Sequence, residues 1–396
     1  MALPLMSRRL FGGFCCCDEP EAPSSGPHLP RRRFAALAAA ATTVLAAPAI
    51  AQPAKTARTR LVTLGIAAGR SAWRGSKVGA FSSAVVVGKD VYVIDFGKGW
   101  VDHFFEAGLG APGRPGSSGG FESLRAGFLT HLHADHVTDL PELILYGATD
   151  GMARRSQPMP IIGPGPGLLP NRTKFAAVRP VSPDNPTPGT ADMIERLYAA
   201  FAADLNDNMF DSGMPDPHSY LVGRDISLPS GITLAIDAPP PLMKPFEVYR
   251  DENVAVSAIL VDHGAMKPSY GYRFDTADGS IALSGDTAAS PNVIELARGA
   301  DILVHEALDR RWAYGLFPAP MTEAQKAKLN HLTGAHTAVQ DIGPIAQAAG
   351  VKLLVLSHLA PFDLPEHEWL QEVRGFGGRV KVAKPGMSVP LPLETL

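Results

Sequence analysis

Six times in this chain a run of apolar residues ends at or just before a histidine or an aspartate. The runs are "VYVID" at Asp95, "GFLTH" at His131, "AILVDH" at His263, "IALSGD" at Asp286, "DILVH" at His305 and "KLLVLSH" at His358. Short apolar runs of this length read as buried strands. A ligating or proton-carrying side chain after each one falls where the loops of a sheet gather along one edge. One histidine after one strand is more often a packing residue. The repetition makes a shared site the better reading.

The densest of these segments is "THLHADH", residues 130–136. The chain has 12 histidines among 396 residues, so three within six positions need a chemical reason. His131 and His133 are two apart at a strand end and share a side, so both imidazoles can reach one ion. Asp135 and His136 follow where the chain turns into a helix and can point to a second ion. Such nitrogen and oxygen donors suit zinc, at roughly 2.0–2.2 Å.

The N-terminal segment "RRRFAALAAAATTVLAAPAIAQ" has a basic start, an apolar run from Phe34 to Ala47 and a small-residue "AIA" at Ala49–Ala51. That is the layout of a secretory signal removed after about Ala51. The apolar run is too short to span a bilayer. The arginines Arg32 and Arg33 before Phe34 suggest twin-arginine export, which would make that machinery a partner and the periplasm the destination. A second pair stands in "SRRLF" at Ser7–Phe11. Cys15, Cys16 and Cys17, the three cysteines, all precede Ala51. The remaining chain then has no disulfide framework, and a metal must be held by histidine and carboxylate. Beyond Ala51 there are 31 Lys and Arg against 36 Asp and Glu, a balance that gives no hint of nucleic-acid binding.

Residues 52–396 read as one domain. "LVTLGI" and the hairpin "SSAVVVGKDVYVIDFGKG" are strands, and "PELILYGA" is a helix with Pro141 in its first turn. From about 150 to 250 the pattern weakens into a pocket-shaping insertion with a strand that runs into a Pro/Gly loop, "MPIIGPGPGLLP", proline-rich turns and one helix, "ADMIERLYAAFAADLND". Strands return with "ITLAIDA", "VAVSAILVDHG", "YGYRFDTADGSIALSGDT", "DILVHEA", "KLLVLSHL" and "RVKVAKPG", with helices "PNVIELARGA" and "AHTAVQDIGPIAQAAG" between them. Each half is strand-rich first and mixed with helices afterwards, which two face-to-face sheets with outer helices would satisfy. Thr337 reads as a helix N-cap. His331 lies in a lid segment, "GLFPAPMTEAQKAKLNHL". His103, His218 and His367 read as surface or packing residues.

The set "THLHADH", "VDHG…SYGYRF", "LSGDT", "HEA" and "LSHLAP" resembles the metallo-β-lactamase superfamily over about residues 60–390, most closely its branch of periplasmic arylsulfatases and ribonuclease Z enzymes. The resemblance implies an α/β fold, a four-layer αββα sandwich, and a dinuclear centre of two Zn2+ or other divalent ions. It puts His131, His133 and His263 on the first ion, and Asp135, His136 and His358 on the second, with Asp286 bridging both. Asp95 would steady the histidine loop. Asp135 and His305 would be catalytic, His305 as proton donor to the leaving group. His336 and Thr337 resemble a His-Thr pair of the same branch, and His336 has two readings, one in which it lines the pocket and one in which it only packs. Two ions can share a hydroxide and hold an anionic substrate, so hydrolysis of a small ester, an aryl sulfate or a phosphodiester, is the expected activity. Lactone or β-lactam hydrolysis, ribonuclease Z-like nuclease activity and metal binding without turnover are the alternatives. Members of the superfamily often dimerise, so a homodimer is a further expectation. The first strand departs from the ribonuclease Z pattern at Ile66 and Ala67, where small and polar residues are usual. Residues 150–230 hold 7 Lys and Arg against 9 Asp and Glu, unlike an arm that grips RNA phosphates.

Overall fold

The computed structural model describes residues 58–69, 76–110, 120–170 and 178–394. The export signal, its arginine pairs and the cysteines lie outside the described residues. The strands form two seven-stranded mixed sheets. The first contains β1 (Thr59–Gly65), β2 (Ser82–Val87), β3 (Asp90–Ile94), β4 (Leu124–Phe128), β5 (Met159–Pro164) and β6 (Leu221–Ile226). The second contains β7 (Phe246–Arg250), β8 (Val254–Leu260), β9 (Tyr270–Thr276), β10 (Gly279–Leu283), β11 (Ile302–Leu308), β12 (Leu353–Ala360) and β13 (Arg379–Val382). The last strand, β14 (Ser388–Leu391), returns to the first sheet and pairs with β1. The spatial orders are β14-β1-β2-β3-β4-β5-β6 and β13-β12-β11-β10-β9-β8-β7.

Both sheets start with antiparallel neighbours and finish with parallel ones. β1 to β3 and β7 to β10 pair antiparallel through short connections. β3 to β6 and β10 to β13 pair parallel. Parallel pairs need crossovers, and the helices supply them. These are α1 (Trp100–Glu106), α2 (Ala134–Val137), α3 (Leu140–Tyr146), α4 (Thr190–Ala200), α5 (Ala202–Asp211), α6 (Pro291–Leu296), α7 (Arg310–Gly315), α8 (Glu323–Ala335), α9 (Val339–Ala349) and α10 (Glu366–Glu372).

Burial on both faces explains the unbroken apolar runs. In β1 and β2, Leu61 and Val85 join the core between the sheets, while Val62, Ala84 and Val86 join a second core. The inner core meets at Tyr92, Phe128, Tyr272 and Phe274, whose rings pack edge to face or tilted. The second core packs Trp100, Phe104, Leu143, Ile144, Ile194 and Tyr198 of α1, α3 and α4 against the outer side of the first sheet. Val293, Ile342, Ile345 and Trp369 of α6, α9 and α10 join the core at the second sheet. The result is the helix–sheet–sheet–helix layering expected from the sequence.

Three local expectations need correction. The 150–250 segment is not only an insertion, because β6 and β7 join the expected strand β5 within it and complete the two sheets. The single helix expected over residues 191–207 is two, α4 and α5, meeting at Phe201. "ITLAIDA" is not a strand. Its carbonyls turn instead to one buried cation: Lys267 Nζ donates to the oxygens of Ala235 (2.8 Å) and Ile236 (3.3 Å), and to Ala238. An ammonium with several carbonyl partners can replace the strand neighbour those groups would otherwise need.

Candidate metal centre

The C-terminal ends of β4, β8, β10 and β12 bring seven side chains to one place. His131, His133 and His263 present ligand atoms within 4.8 Å of one another, and so do Asp135, His136, Asp286 and His358. Asp286 joins the two groups. One carboxylate oxygen, Oδ2, lies 3.2 Å from His358 Nε2, 3.3 Å from His136 Nε2, and 3.8 Å from both His131 Nε2 and His263 Nε2. The geometry therefore gathers all seven residues the sequence singled out as ligands.

Three of the imidazoles are fixed by their other ring nitrogen. His136 Nδ1 lies 2.7 Å from Asp95 Oδ2, and His263 Nδ1 donates to the Ala335 carbonyl at 2.9 Å. His131 Nδ1 is 3.1 Å from Thr130 Oγ1. Asp95 also accepts from the Thr130 amide (2.8 Å) and hydroxyl (2.7 Å), so one fully buried carboxylate ties β3 to the histidine loop. Such partners set the tautomer and ring angle of a metal ligand. Asp95→Asn is expected to weaken divalent-metal affinity about 10–100-fold in a calorimetric titration, and an unchanged affinity would contradict the positioning role.

Two site residues sit in backbone conformations that L-residues seldom adopt. Asp95 has φ 60° and His358 φ 45°. At His358 the pairing of β11 with β12 skips a residue, running from Glu306↔Ser357 to Ala307↔Leu359. His358 is the bulged residue, and a bulge re-aims a side chain that regular alternation would send elsewhere. Left-handed backbone away from glycine is uncommon, and such strain clusters at functional sites.

The donor set fits divalent cations. Nε2 of His131 and of His136 is buried with no hydrogen-bond partner among the described residues. Burial keeps His131 and His263 neutral, well below the ordinary histidine range, with His136 adding to the effect at His131 and Asp286 opposing it at His263. Burial also pushes His133 down to about 4, against Asp286. Neutral imidazoles are the metal-binding form. Burial opposes charge on Asp286, yet His358 and His136 hold it well below the usual carboxylate range. Burial opposes charge on His136 too, but Asp286, Asp95 and Asp135 hold it well above its ordinary value. A buried group of carboxylates that draws a proton onto a histidine is a place where cations belong.

The expected role of His305 is not supported by its geometry. Its Nδ1 contacts the Glu306 carbonyl at 2.7 Å, and burial pushes it down to about 4. The side chain is fully buried and borders neither ligand group nor the cavity beside them. Adjacent strand residues face opposite ways, and it is Glu306 that turns to the site. Its Oε1 accepts from the Thr287 amide at 2.6 Å, and its Oε2 lies 2.8 Å from His336 Nδ1. Burial works against a charged His336, but the Glu306 carboxylate outweighs it and lifts His336 to about 9. His336 thus borders the pocket, as one of its two readings had it. Thr337 is not an N-cap, since α9 is capped at Ala338. The Thr337 hydroxyl donates to the Thr287 carbonyl at 2.6 Å.

A cavity of about 1170 Å³ opens over the cluster, reaching His133, Asp135, Asp286, His331 and His336. His331, on α8, lies with its ring centroid 5.5 Å from that of His263 and 5.7 Å from that of His336. Ile66 and Ala67 are buried, and Ala68 and Gly69 line the cavity after them. The Gly69 amide donates to Asp135 Oδ2 at 2.7 Å.

No family model matches the chain. Among curated proteins, ribonuclease Z of Mycobacterium marinum is 27% identical over 308 residues, covering 76% of this chain and 88% of that protein. Ribonuclease Z of Mycobacterium bovis is 25% identical over 310 residues, with the same coverage. Among solved structures, the short form of human tRNase Z aligns with a TM-score of 0.51 at 18% identity, over 84% of this chain and 100% of that one. YhfI of Bacillus subtilis, a metallo-β-lactamase fold protein, aligns with a TM-score of 0.50 at 17% identity, over 83% and 98%. The chain has the metallo-β-lactamase fold of these solved structures, and over three quarters of its length it is similar to ribonuclease Z enzymes. Its homologues are ribonuclease Z-like.

Proposed function

We propose that the chain hydrolyses anionic esters, phosphodiesters first among them, at a centre of two divalent ions, zinc the first choice, with His336 as proton donor. The observation that carries this reading is Asp286 Oδ2, placed within 3.8 Å of four histidine nitrogens, beside a cavity that His336 also borders. His131, His133 and His263 would hold one ion, and Asp135, His136 and His358 the other, with Asp286 shared. Ions held there would acidify a bound water and offset the charge of the ester.

The chain's own residues supply the proton traffic. Asp135, fixed by the Gly69 amide, accepts the proton of the attacking water as the new phosphorus–oxygen bond forms. His336 has its Nδ1 committed to Glu306, which leaves Nε2 to protonate the departing oxygen as the old bond breaks. The Glu306 carboxylate, outweighing the opposing effect of burial, keeps that proton available at neutral pH.

The ribonuclease Z relatives support phosphorus as the attacked centre, and RNA is the second reading on that ground. Against it, the 150–230 segment folds partly into α4 and α5, whose Asp204, Asp207 and Asp211 are exposed and acidic. The test is a panel on one metal-loaded preparation: bis(4-nitrophenyl) phosphate, 4-nitrophenyl sulfate, a lactone, nitrocefin and a precursor transfer RNA. Turnover of the phosphodiester at least about tenfold above the other small esters is the expected result. Faster cleavage of the RNA would favour the second reading, and preference for the sulfate would return the site to the arylsulfatase expectation. Export is part of the same proposal and rests on the N-terminal sequence. A reporter behind residues 1–60 should leave the cytoplasm, and Arg32→Lys with Arg33→Lys should hold it there.

A further inference from the structure

The wall of the cavity points to a more specific substrate. Away from the metal cluster its lining includes Leu168, Leu169 and Met193 together with Trp312, Leu316 and Leu332. None of these six is fully buried, and Leu168 and Leu169 are 37% and 45% exposed. Unfilled apolar surface facing a cavity marks a ligand groove. The volume, about 1170 Å³, lies above the roughly 300–1,000 Å³ common for small-ligand sites, so it has room well beyond an ester head.

Among the described residues, the cations of this wall are few and largely committed. Lys267 gives its ammonium to the carbonyls of Ala235, Ile236 and Ala238. Lys328 places its ammonium 5.9 Å over the Phe317 ring. A polynucleotide needs a row of cations along its phosphates, and a ribose needs donors and acceptors for its hydroxyls. The described residues of this wall offer neither in number.

We propose that the substrate is an amphiphile: one anionic ester at the metal cluster, carrying a large alkyl or aryl body that lies along Leu168, Leu169, Met193, Trp312, Leu316 and Leu332. The inference rests on the ester-hydrolase reading and adds the class of group that its substrate carries. α7, α8 and the loop after β5 are then the main specificity elements, and the metal cluster is indifferent to the body's length.

Calorimetric binding of methyl-, butyl- and octylphosphonate to the metal-loaded chain tests this without turnover. A buried methylene contributes ~0.8 kcal/mol, about fourfold in affinity, so octylphosphonate should bind about 100-fold or more tighter than butylphosphonate. Leu168→Asn, at a half-exposed loop position, and Trp312→Ala should each remove about tenfold of that gain. Neither should change methylphosphonate binding. Affinity independent of chain length would overturn the proposal, and so would a gain that both wall variants keep. Precursor transfer RNA binding tighter than octylphosphonate would also overturn it. Turnover of bis(4-nitrophenyl) phosphate, measured separately, decides the ester-hydrolase reading, so the two can fail independently.

Discussion

Asp286→Ala is expected to leave the purified chain with fewer than two bound metal ions and to lower phosphodiester turnover by roughly a thousandfold or more, the scale of losing a major electrostatic element of a site. The reason is geometric. Asp286 Oδ2 is a carboxylate oxygen within 3.8 Å of histidine Nε2 atoms from both ligand groups. Removing it takes the shared negative charge from between two cations, so that the sites repel each other more and bind more weakly. It also leaves His136 and His358 without their 3.3 Å and 3.2 Å partner. Metal content by elemental analysis, beside kcat, reads both effects. Retention of two ions with full activity would refute the bridging role.

The second large effect belongs to His336. His336→Ala should keep both ions and lose about 10²–10⁴ in kcat, the usual contribution of a positioned acid. The loss should be largest for alkoxide-like leaving groups and small for 4-nitrophenolate, which departs without help. His305→Ala should leave the leaving-group dependence unchanged. The pH profile gives an independent reading. Glu306 raises His336 to about 9 against the opposing effect of burial, so the protonated form persists through neutrality and is lost as the pH rises. Activity should therefore fall on the alkaline side. In Glu306→Gln the attraction is gone, the histidine loses its proton at lower pH, and the alkaline limb should move down. A limb that stays in place in Glu306→Gln would remove His336 from the proton-donor role.

The ligand set was legible in the sequence because each member ends an apolar run, and strand ends converge wherever a sheet puts its loops on one edge. His131, His133, Asp135 and His136 come from one short segment, so local spacing alone brings them close. What the sequence hid depends on which way a side chain faces. "HEA" offers a histidine and a glutamate side by side, and only the strand's alternation decides that Glu306, not His305, meets the site. His358 shows the opposite failure of pattern: a bulge and a positive φ aim it, and nothing in "KLLVLSHLAP" announces either. The fate of "ITLAIDA" was equally out of reach, since its carbonyls answer to Lys267, some thirty residues away. The apolar wall of the cavity comes from segments read as proline-rich loop and lid, where no periodicity marks a shared face.

The most direct test of the account is the number and position of metal ions. Zinc added to the metal-free full chain should bind to a stoichiometry of two. Anomalous diffraction from the loaded crystal should show two peaks flanking Asp286, one by His131, His133 and His263, the other by Asp135, His136 and His358. A stoichiometry of one, or a second peak away from Asp286, would contradict it.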